Sequence, residues 1–399
     1  MDKAHWLLPE GIDEVIPPQA EKIEHLRRRL LDMYSTWGYE LVMPPFIEFL
    51  DSLMIGAGAD IDLKTFKLID QVSGRLMGIR ADMTTQVARI DAHHLNNDAP
   101  SRLCYMGTVL HTLPDGFGGS RAPLQIGAEL YGHCGPQSDV EVISLMLETF
   151  AVAGVERISI DIGHVGIFRG IAAQSGLNAS QEKTLFEALQ RKAVPEIRTF
   201  LEENRVSNSD ATRILALSDL NGSDVLAEAR QVLAGCDESV LKALDHIEQV
   251  AEQISREYPQ LTLHYDLSEL RGYNFHTGMV FSAYVTDSSV EIARGGRYDN
   301  IGVDFGRARP ATGFSTDLRK LLSNSSTDFT VHEQVVYAPS AEQLPSGQAD
   351  SLQATVKQLR AQGTRVICAL DGQQGTAIEM GCTEQLLFKD GQWQLTALS

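Results

Sequence analysis

A chain of 399 residues is too long for one small core and predicts two or three domains. Its 43% hydrophobic and 22% charged residues are those of a globular protein, and no apolar run approaches the ~20 residues of a membrane span. A formal charge of −19 repels a phosphate polymer unless basic residues are locally concentrated, so nucleic acid is not an expected partner.

The N-terminus, Met1-Asp2-Lys3-Ala4-His5-Trp6, lacks the apolar core of an export signal. Cys104, Cys134, Cys236, Cys368 and Cys382 are scattered, with no C-x-x-C pair, as expected of reduced thiols in a cytoplasmic protein rather than of a disulfide or zinc framework. Pro17-Pro18 opens a helix in which Ile23, Leu26, Leu30, Tyr34 and Trp37 recur at helical spacing until Gly38 ends it. Arg27-Arg28-Arg29, the longest basic cluster, reads as a solvated face of that helix. Tyr39–Met43 is a short strand stopped by Pro44-Pro45. Residues 64–80 form a hairpin turning at Ser73-Gly74, and Thr84–Leu95 is helical. Strands Leu103–His111 and Pro123–Tyr131 flank a loop containing Gly116-Phe117-Gly118-Gly119. Ser138 and Asp139 start a long apolar helix that ends at Gly154, and Ile158, Ile160 and Ile162 alternate as in a strand.

From about Val165 to Tyr258 helical patterns dominate, with start signals at Ser180, Ser209, Ser223 and Ser239. β-rich sequence resumes with Leu261–Asp266, Met279–Val285 and Val290–Arg294, and Thr312–Leu322 is a strand leading into a helix. A helical block inside a β-rich chain predicts an insertion. The polar stretch Ser323–Asp328 begins a linker, followed by strand Val335–Ala338, helix Ser351–Gln362 and strand Arg365–Leu370. The expected organisation is a core over 1–322 with a helical insertion at about 165–260, a linker over 323–330 and a small α/β domain over 331–399.

Along Pro123–Tyr131 side chains alternate faces. Leu124, Ile126, Ala128 and Leu130 take one face, and Gln125, Gly127 and Glu129 the other. An amide, a carboxylate and open space at the glycine suit a cationic, hydrogen-bonding ligand such as an α-amino group or an imidazole, although an ordinary solvated face reads the same way. Asp82 and Thr84, just before a helix, are either ligand contacts or an N-cap. Leu270–Gly278, with Arg271, Tyr273, Phe275 and His276, either shapes a specificity pocket or merely connects β segments. The 11 histidines include no H-E-x-x-H, so no metal is expected. Gly56-Ala57-Gly58 is too small a fragment of a dinucleotide motif to imply a cofactor, and no G-x-S-x-G or Walker sequence is present.

Taken in order, these segments resemble the catalytic core of histidyl-tRNA synthetase, a class II aminoacyl-tRNA synthetase. Trp37-Gly38-Tyr39-Glu40 through Pro44-Pro45 looks like the first class II motif, which lies at that family's dimer interface. Arg80–Arg89 is similar to its R-P-E-x-T segment, and Gln125-Ile126-Gly127-Ala128-Glu129 matches Q-x-G-x-E. Arg271-Gly272 with Phe275-His276 stands where the family has R-G-x-x-Y-Y, and Gly295-Gly296-Arg297-Tyr298-Asp299 is identical to its G-G-R-Y-D. The resemblance implies an α+β fold, an antiparallel sheet flanked by helices. It also implies that Asp82, Thr84, Gln125, Glu129, Arg271, Tyr273, Phe275 and His276 form a pocket for L-histidine.

The departures are as informative. The second class II motif should read F-R-x-E, but Leu110-His111-Thr112-Leu113 puts His111 where an arginine holds the ATP α-phosphate, and Leu113 in place of the glutamate. An unperturbed imidazole is mostly neutral at pH 7, and losing one such donor slows a reaction by about 10²–10³. Lys320 stands at the arginine of the third motif, with Arg319 one residue early. From Val331 onward four Lys/Arg face seven Asp/Glu, a net of −3, the wrong sign for tRNA. A kept core with a broken activation motif and a shortened tail resembles the regulatory subunits of the short-form ATP phosphoribosyltransferase. That likeness implies a chain without catalysis of its own, assembled with a small catalytic subunit in a four-plus-four hetero-octamer. It would activate that subunit and transmit feedback inhibition by histidine in the first step of histidine biosynthesis. The alternative, an active synthetase or other adenylating enzyme, needs a phosphate clamp that the sequence does not supply.

Overall fold

The structure, a computed structural model, describes residues 7–398 apart from 56–58, 115–118, 270, 271, 274, 287–289, 304, 331–333, 341, 343 and 346. It divides into two compact units, one reaching Asp328 and one from Phe329 onward to which Pro17–Lys22 also belongs.

Helix α1 (Gln19–Thr36), which belongs to the first unit from Ile23 onward, buries Ile23, Leu26, Leu30 and Tyr34, and each buried leucine contributes about 1.5–3 kcal/mol. The exposed Arg28 and the half-buried Arg27 both pair with Glu24 one turn away. Strand β1 (Glu40–Val42) follows. Strand β2 (Ile47–Phe49) pairs with the hairpin of β3 (Phe66–Ile69) and β4 (Leu76–Ile79), with helices α2 (Leu50–Leu53) and α3 (Ala59–Lys64) between β2 and β3 in the chain. Helix α4 (Thr84–Arg89) widens into a π-helical turn, Ile90–Leu95. Strands β5 (Ser101–Thr108) and β6 (Leu124–Tyr131), helix α5 (Pro136–Ala153) and strand β7 (Ile158–His164) come next.

The helical block comprises α6 (Val165–Gln174), α7 (Ala179–Gln190), α8 (Val194–Glu203), α9 (Asn208–Leu217), the two-residue strand β8 (Asn221–Gly222), α10 (Val225–Val232) and α11 (Glu238–Glu257). Strands β9 (Thr262–Asp266), β10 (Met279–Val285), β11 (Val290–Arg297) and β12 (Ala311–Asp317) and helix α12 (Leu318–Ser323) complete the unit. Among the described residues nine strands form one sheet, in the order β1-β5-β6-β12-β11-β10-β7-β9-β8. Its pairs are antiparallel except β1 with β5 and β7 with β9, so the expected antiparallel sheet carries parallel pairs toward its edges.

Several helix starts differ from the sequence reading. Helix α5 begins at Pro136 because proline suits a first turn, which frees Ser138 and Asp139 to bind Arg297. Asn178, not Ser180, caps α7, in a reciprocal capping box with Gln181, and Ser207, not Ser209, caps α9. Asp224 and Asp237, rather than Ser223 and Ser239, precede α10 and α11. At the end of α5, Gly154 adopts φ +66°, and a Cβ there would lie 2.1 Å from the Thr327 hydroxyl. Ser326 uses that space to donate its backbone N–H to the Gly154 carbonyl at 2.8 Å.

The second unit contains β13 (Val335–Ala338), helix α13 (Ala349–Ala361), β14 (Arg365–Cys368), β15 (Glu384–Lys389) and β16 (Gln392–Ala397). The sheet order is β14-β13-β15-β16, and Leu352 and Val356 of α13 pack on Val336, Val366 and Leu386. The sequence reading lacks β15 and β16, an antiparallel hairpin whose turn is Asp390-Gly391, both with positive φ.

Candidate functional site

The candidate site is assembled on β5, β6 and β12, neighbours in the large sheet. The polar face of β6 is not solvated: Gln125 is buried and Glu129 is 1% exposed. Nor is the glycine between them a gap, as the sequence suggested. Tyr105 lies opposite Gly127 in the β5–β6 register, and a Cβ on Gly127 would meet the Tyr105 hydroxyl at 2.4 Å. The missing side chain therefore lets Tyr105 cross the strand and donate its hydroxyl to Glu129 Oε1 at 2.8 Å. From the other side, Gly313 of β12 leaves room for the carboxylate itself, since a Cβ there would lie 1.5 Å from Glu129 Oε2. The Tyr298 hydroxyl donates to that same oxygen.

Among the described residues the groups that hydrogen-bond to Glu129 are hydroxyls, those of Tyr105 and Tyr298 with a weaker contribution from Thr84, and no cationic side chain is paired to it. Burial pushes its carboxyl up to about 8 against the downward pull of these hydroxyls, and the neighbouring Asp82 charge adds to the rise.

Asp82 stands in the loop before α4, with both oxygens engaged. Oδ1 accepts the Thr84 backbone N–H at 2.7 Å, and Oδ2 accepts Gln125 Nε2 at 2.7 Å. Gln125 Oε1 in turn accepts the Met83 N–H at 3.1 Å, which fixes the orientation of the amide. The Thr84 hydroxyl lies 3.2 Å from that of Tyr105. Asp82, Thr84, Gln125 and Glu129, picked out in the sequence, thus belong to one hydrogen-bonded set, joined by Tyr105.

The aromatic loop is split between two neighbourhoods. Phe275 stacks on Tyr298, with centroids 4.9 Å apart, and so borders the Glu129 side. His276 is half-buried, with Nδ1 out of solvent and without a hydrogen-bond partner, and burial pushes its imidazole down to about 4, which keeps it neutral. Tyr273 turns to the helical block, where it stacks on Phe186 at 4.9 Å, packs edge-on against Phe168 and donates its hydroxyl to Glu182. Arg271 lies outside the described residues.

Where the second class II motif would grip a nucleotide, His111 is buried with Nε2 2.9 Å from the Ala81 carbonyl. Leu113 is 64% exposed. Lys320 is exposed on α12, while the half-buried Arg319 keeps its Nε out of solvent and without a hydrogen-bond partner. Among the described residues no group of three His, Cys, Asp or Glu side chains is placed to hold a metal, and no helix is long and apolar enough to cross a membrane.

Sequence reasoning missed Tyr105, whose role depends on strand register. It also passed over Tyr298, although Gly295–Asp299 had been singled out as a motif. Arg297 of that motif is a strut, not a ligand group: it is buried, donates to Asp139 at 2.8 Å and to Ser138 at 2.7 Å, and ties β11 to α5.

Residues 11–321 match the family described as histidyl-tRNA synthetase, and residues 334–396 match the ATP phosphoribosyltransferase subunit HisZ C-terminal domain. The chain is 57% identical, over the full length of both proteins, to the ATP phosphoribosyltransferase regulatory subunit of Thioalkalivibrio sulfidiphilus. It is 52% identical to that of Alkalilimnicola ehrlichii, over 97% of this chain and 95% of the relative. A crystal structure described as an ATP phosphoribosyltransferase regulatory subunit/histidyl-tRNA synthetase from Bacillus halodurans superposes with a TM-score of 0.81 at 26% identity, covering 94% of this chain and 96% of that one. The same likeness thus spans the synthetase-like unit with its altered second motif and the small C-terminal unit, and the chain belongs to the family of ATP phosphoribosyltransferase regulatory subunits built on a histidyl-tRNA synthetase-like core.

Proposed function

We propose that this chain binds L-histidine on the Glu129 side of the large sheet and uses its occupancy to set the activity of a short-form ATP phosphoribosyltransferase catalytic subunit. The observation that carries the reading is Glu129, a buried carboxylate held by hydroxyls alone among the described residues and pushed up to about 8. A desolvated carboxyl of this kind gains most from a cation that arrives with the ligand. The α-ammonium of histidine supplies that charge at Glu129 and Asp82, while Thr84 and Gln125 orient it. Arg271 pairs with the ligand carboxylate, and Phe275 and His276 bound the imidazole side.

The assembly follows the family resemblance. Catalytic and regulatory subunits form a cytoplasmic four-plus-four hetero-octamer, and the regulatory chains associate through the surface around β1, the first class II motif. The complex transfers a phosphoribosyl group to ATP, the first step of histidine biosynthesis. This chain activates the transfer and returns feedback inhibition by histidine. It uses no cofactor of its own and no nucleic acid. Coupling of about 1–3 kcal/mol between histidine occupancy and the active state is enough for graded control. By reciprocity, substrates that favour the active state weaken histidine binding by the same factor.

Mixing the chain with a short-form catalytic subunit tests the proposal. Phosphoribosyl-ATP formation is expected to rise on addition of the chain and to fall when histidine follows, and calorimetry on the isolated chain is expected to show histidine binding. Histidine-dependent exchange of pyrophosphate into ATP by the isolated chain would overturn it in favour of an active adenylating enzyme.

A further inference from the structure

His111 occupies the place of a phosphate-gripping arginine, yet its ring is turned into the protein. Nε2 lies 2.9 Å from the Ala81 carbonyl, which can only accept, so Nε2 carries the proton. Nδ1 is buried without a partner. Ala81 immediately precedes Asp82, and the neighbouring bonds form a ladder. The Leu110 N–H donates to the Arg80 carbonyl at 3.1 Å, and the His111 ring donates to that of Ala81. Gln125 accepts the Met83 N–H and donates to the Asp82 carboxylate. The segment Arg80–Met83 is thus held residue by residue from the stretch around His111 and from β6.

We propose that His111 is a positioning residue for the Asp82 loop: the substitution that removed the nucleotide clamp converted its position into a strut that aims the Asp82 carboxylate and the Thr84 hydroxyl at the ligand. This rests on the reading of Asp82 and Thr84 as histidine contacts. The geometry sets a strict requirement, a donor at the position of Nε2. Glutamine can place its amide nitrogen there, whereas the shorter asparagine amide corresponds to Nδ1 and falls short.

The test compares His111→Gln, His111→Asn and His111→Leu with the parent chain in two measurements. Amide hydrogen exchange of Met83 and Thr84 without ligand reads the loop directly. Calorimetry with histidine reads the pocket. The expected result is parent-like exchange and affinity for His111→Gln, with faster exchange and about tenfold weaker binding for His111→Asn and His111→Leu, the scale of one lost buried hydrogen bond. Should the leucine variant fold poorly, the glutamine–asparagine pair still decides, because both are polar and close in size. Equal exchange and equal affinity in all variants would overturn the proposal. A parent chain that binds no histidine, but whose exchange follows the donor at position 111, would sink the pocket reading while supporting the strut.

Discussion

On the side of the site assigned to the amino acid, Asp82, Thr84, Gln125 and Glu129 are joined through Tyr105 and Tyr298 into one set of hydrogen bonds around β6, a strand buried on both faces. On the side where a synthetase would hold ATP, the ring of His111 is folded inward, Leu113 is open to solvent, and Lys320 projects from α12 into water. The two sides share a framework and differ in where fixed charge is placed. Recognition of a cation needs buried acceptors, which survive here. Activation of a phosphate needs a guanidinium at the growing negative charge, and position 111 holds an imidazole instead. Changes confined to one side can therefore remove the phosphate-activating charge and leave the buried acceptors in place.

The comparison breaks most readily at Glu129. Glu129→Gln keeps the shape and removes the charge, and histidine affinity measured by calorimetry is expected to fall by about 10²-fold or more, as when one partner of a buried ion pair is removed. Parent-like binding would show that the buried carboxylate is not the anchor. Gly313→Ala probes the same carboxylate from the other side. The added methyl has no space beside Glu129 Oε2, so denaturant melts should show a loss of about 1–3 kcal/mol together with weaker histidine binding.

A pH series sharpens the same contrast with a smaller effect. The folded Glu129 carboxyl titrates at about 8, whereas an unperturbed one titrates near 4.5. Between those values the folded chain holds the extra proton. This contribution to stability is therefore present at low pH and is lost as pH rises from about 4.5 to about 8. Melting the free chain across that window should reveal the decline, and Glu129→Gln should flatten it. Because a bound ammonium favours the ionised carboxyl, histidine binding near neutral pH should release up to about one proton, read from calorimetry in buffers of different ionisation heat. The smallest expected effect is on the nucleotide side. Rebuilding F-R-x-E in part, with His111→Arg and Leu113→Glu together, should leave pyrophosphate exchange at background, because Leu110 still stands at the phenylalanine of the second motif and Lys320 at the arginine of the third.

Much of this was legible in the chain. The stripe of α1, the turn at Ser73-Gly74, the end of α5 at Gly154 and the placement of Gln125 and Glu129 on one face of β6 follow from local periodicity and turn chemistry. What was not legible depends on pairing between distant segments. That Tyr105 crosses β6 at Gly127 requires the β5–β6 register. The burial of the polar face of β6 requires knowing what covers it. The partition of Tyr273 from Phe275 depends on where α6 and α7 pack. The tail hairpin is a different matter: Asp390-Gly391 is a strong turn signal, flanked by β-forming residues, and was readable from the sequence.

The approach of Glu129 to Gly313 has a consequence for how the pocket can change over generations. With the carboxylate present, any residue larger than glycine at 313 collides with it, and with a larger residue at 313 the carboxylate has nowhere to go. The coupling runs one way: position 313 is held to glycine for as long as the carboxylate is present, and only once Glu129 is gone can a larger side chain enter β12 there.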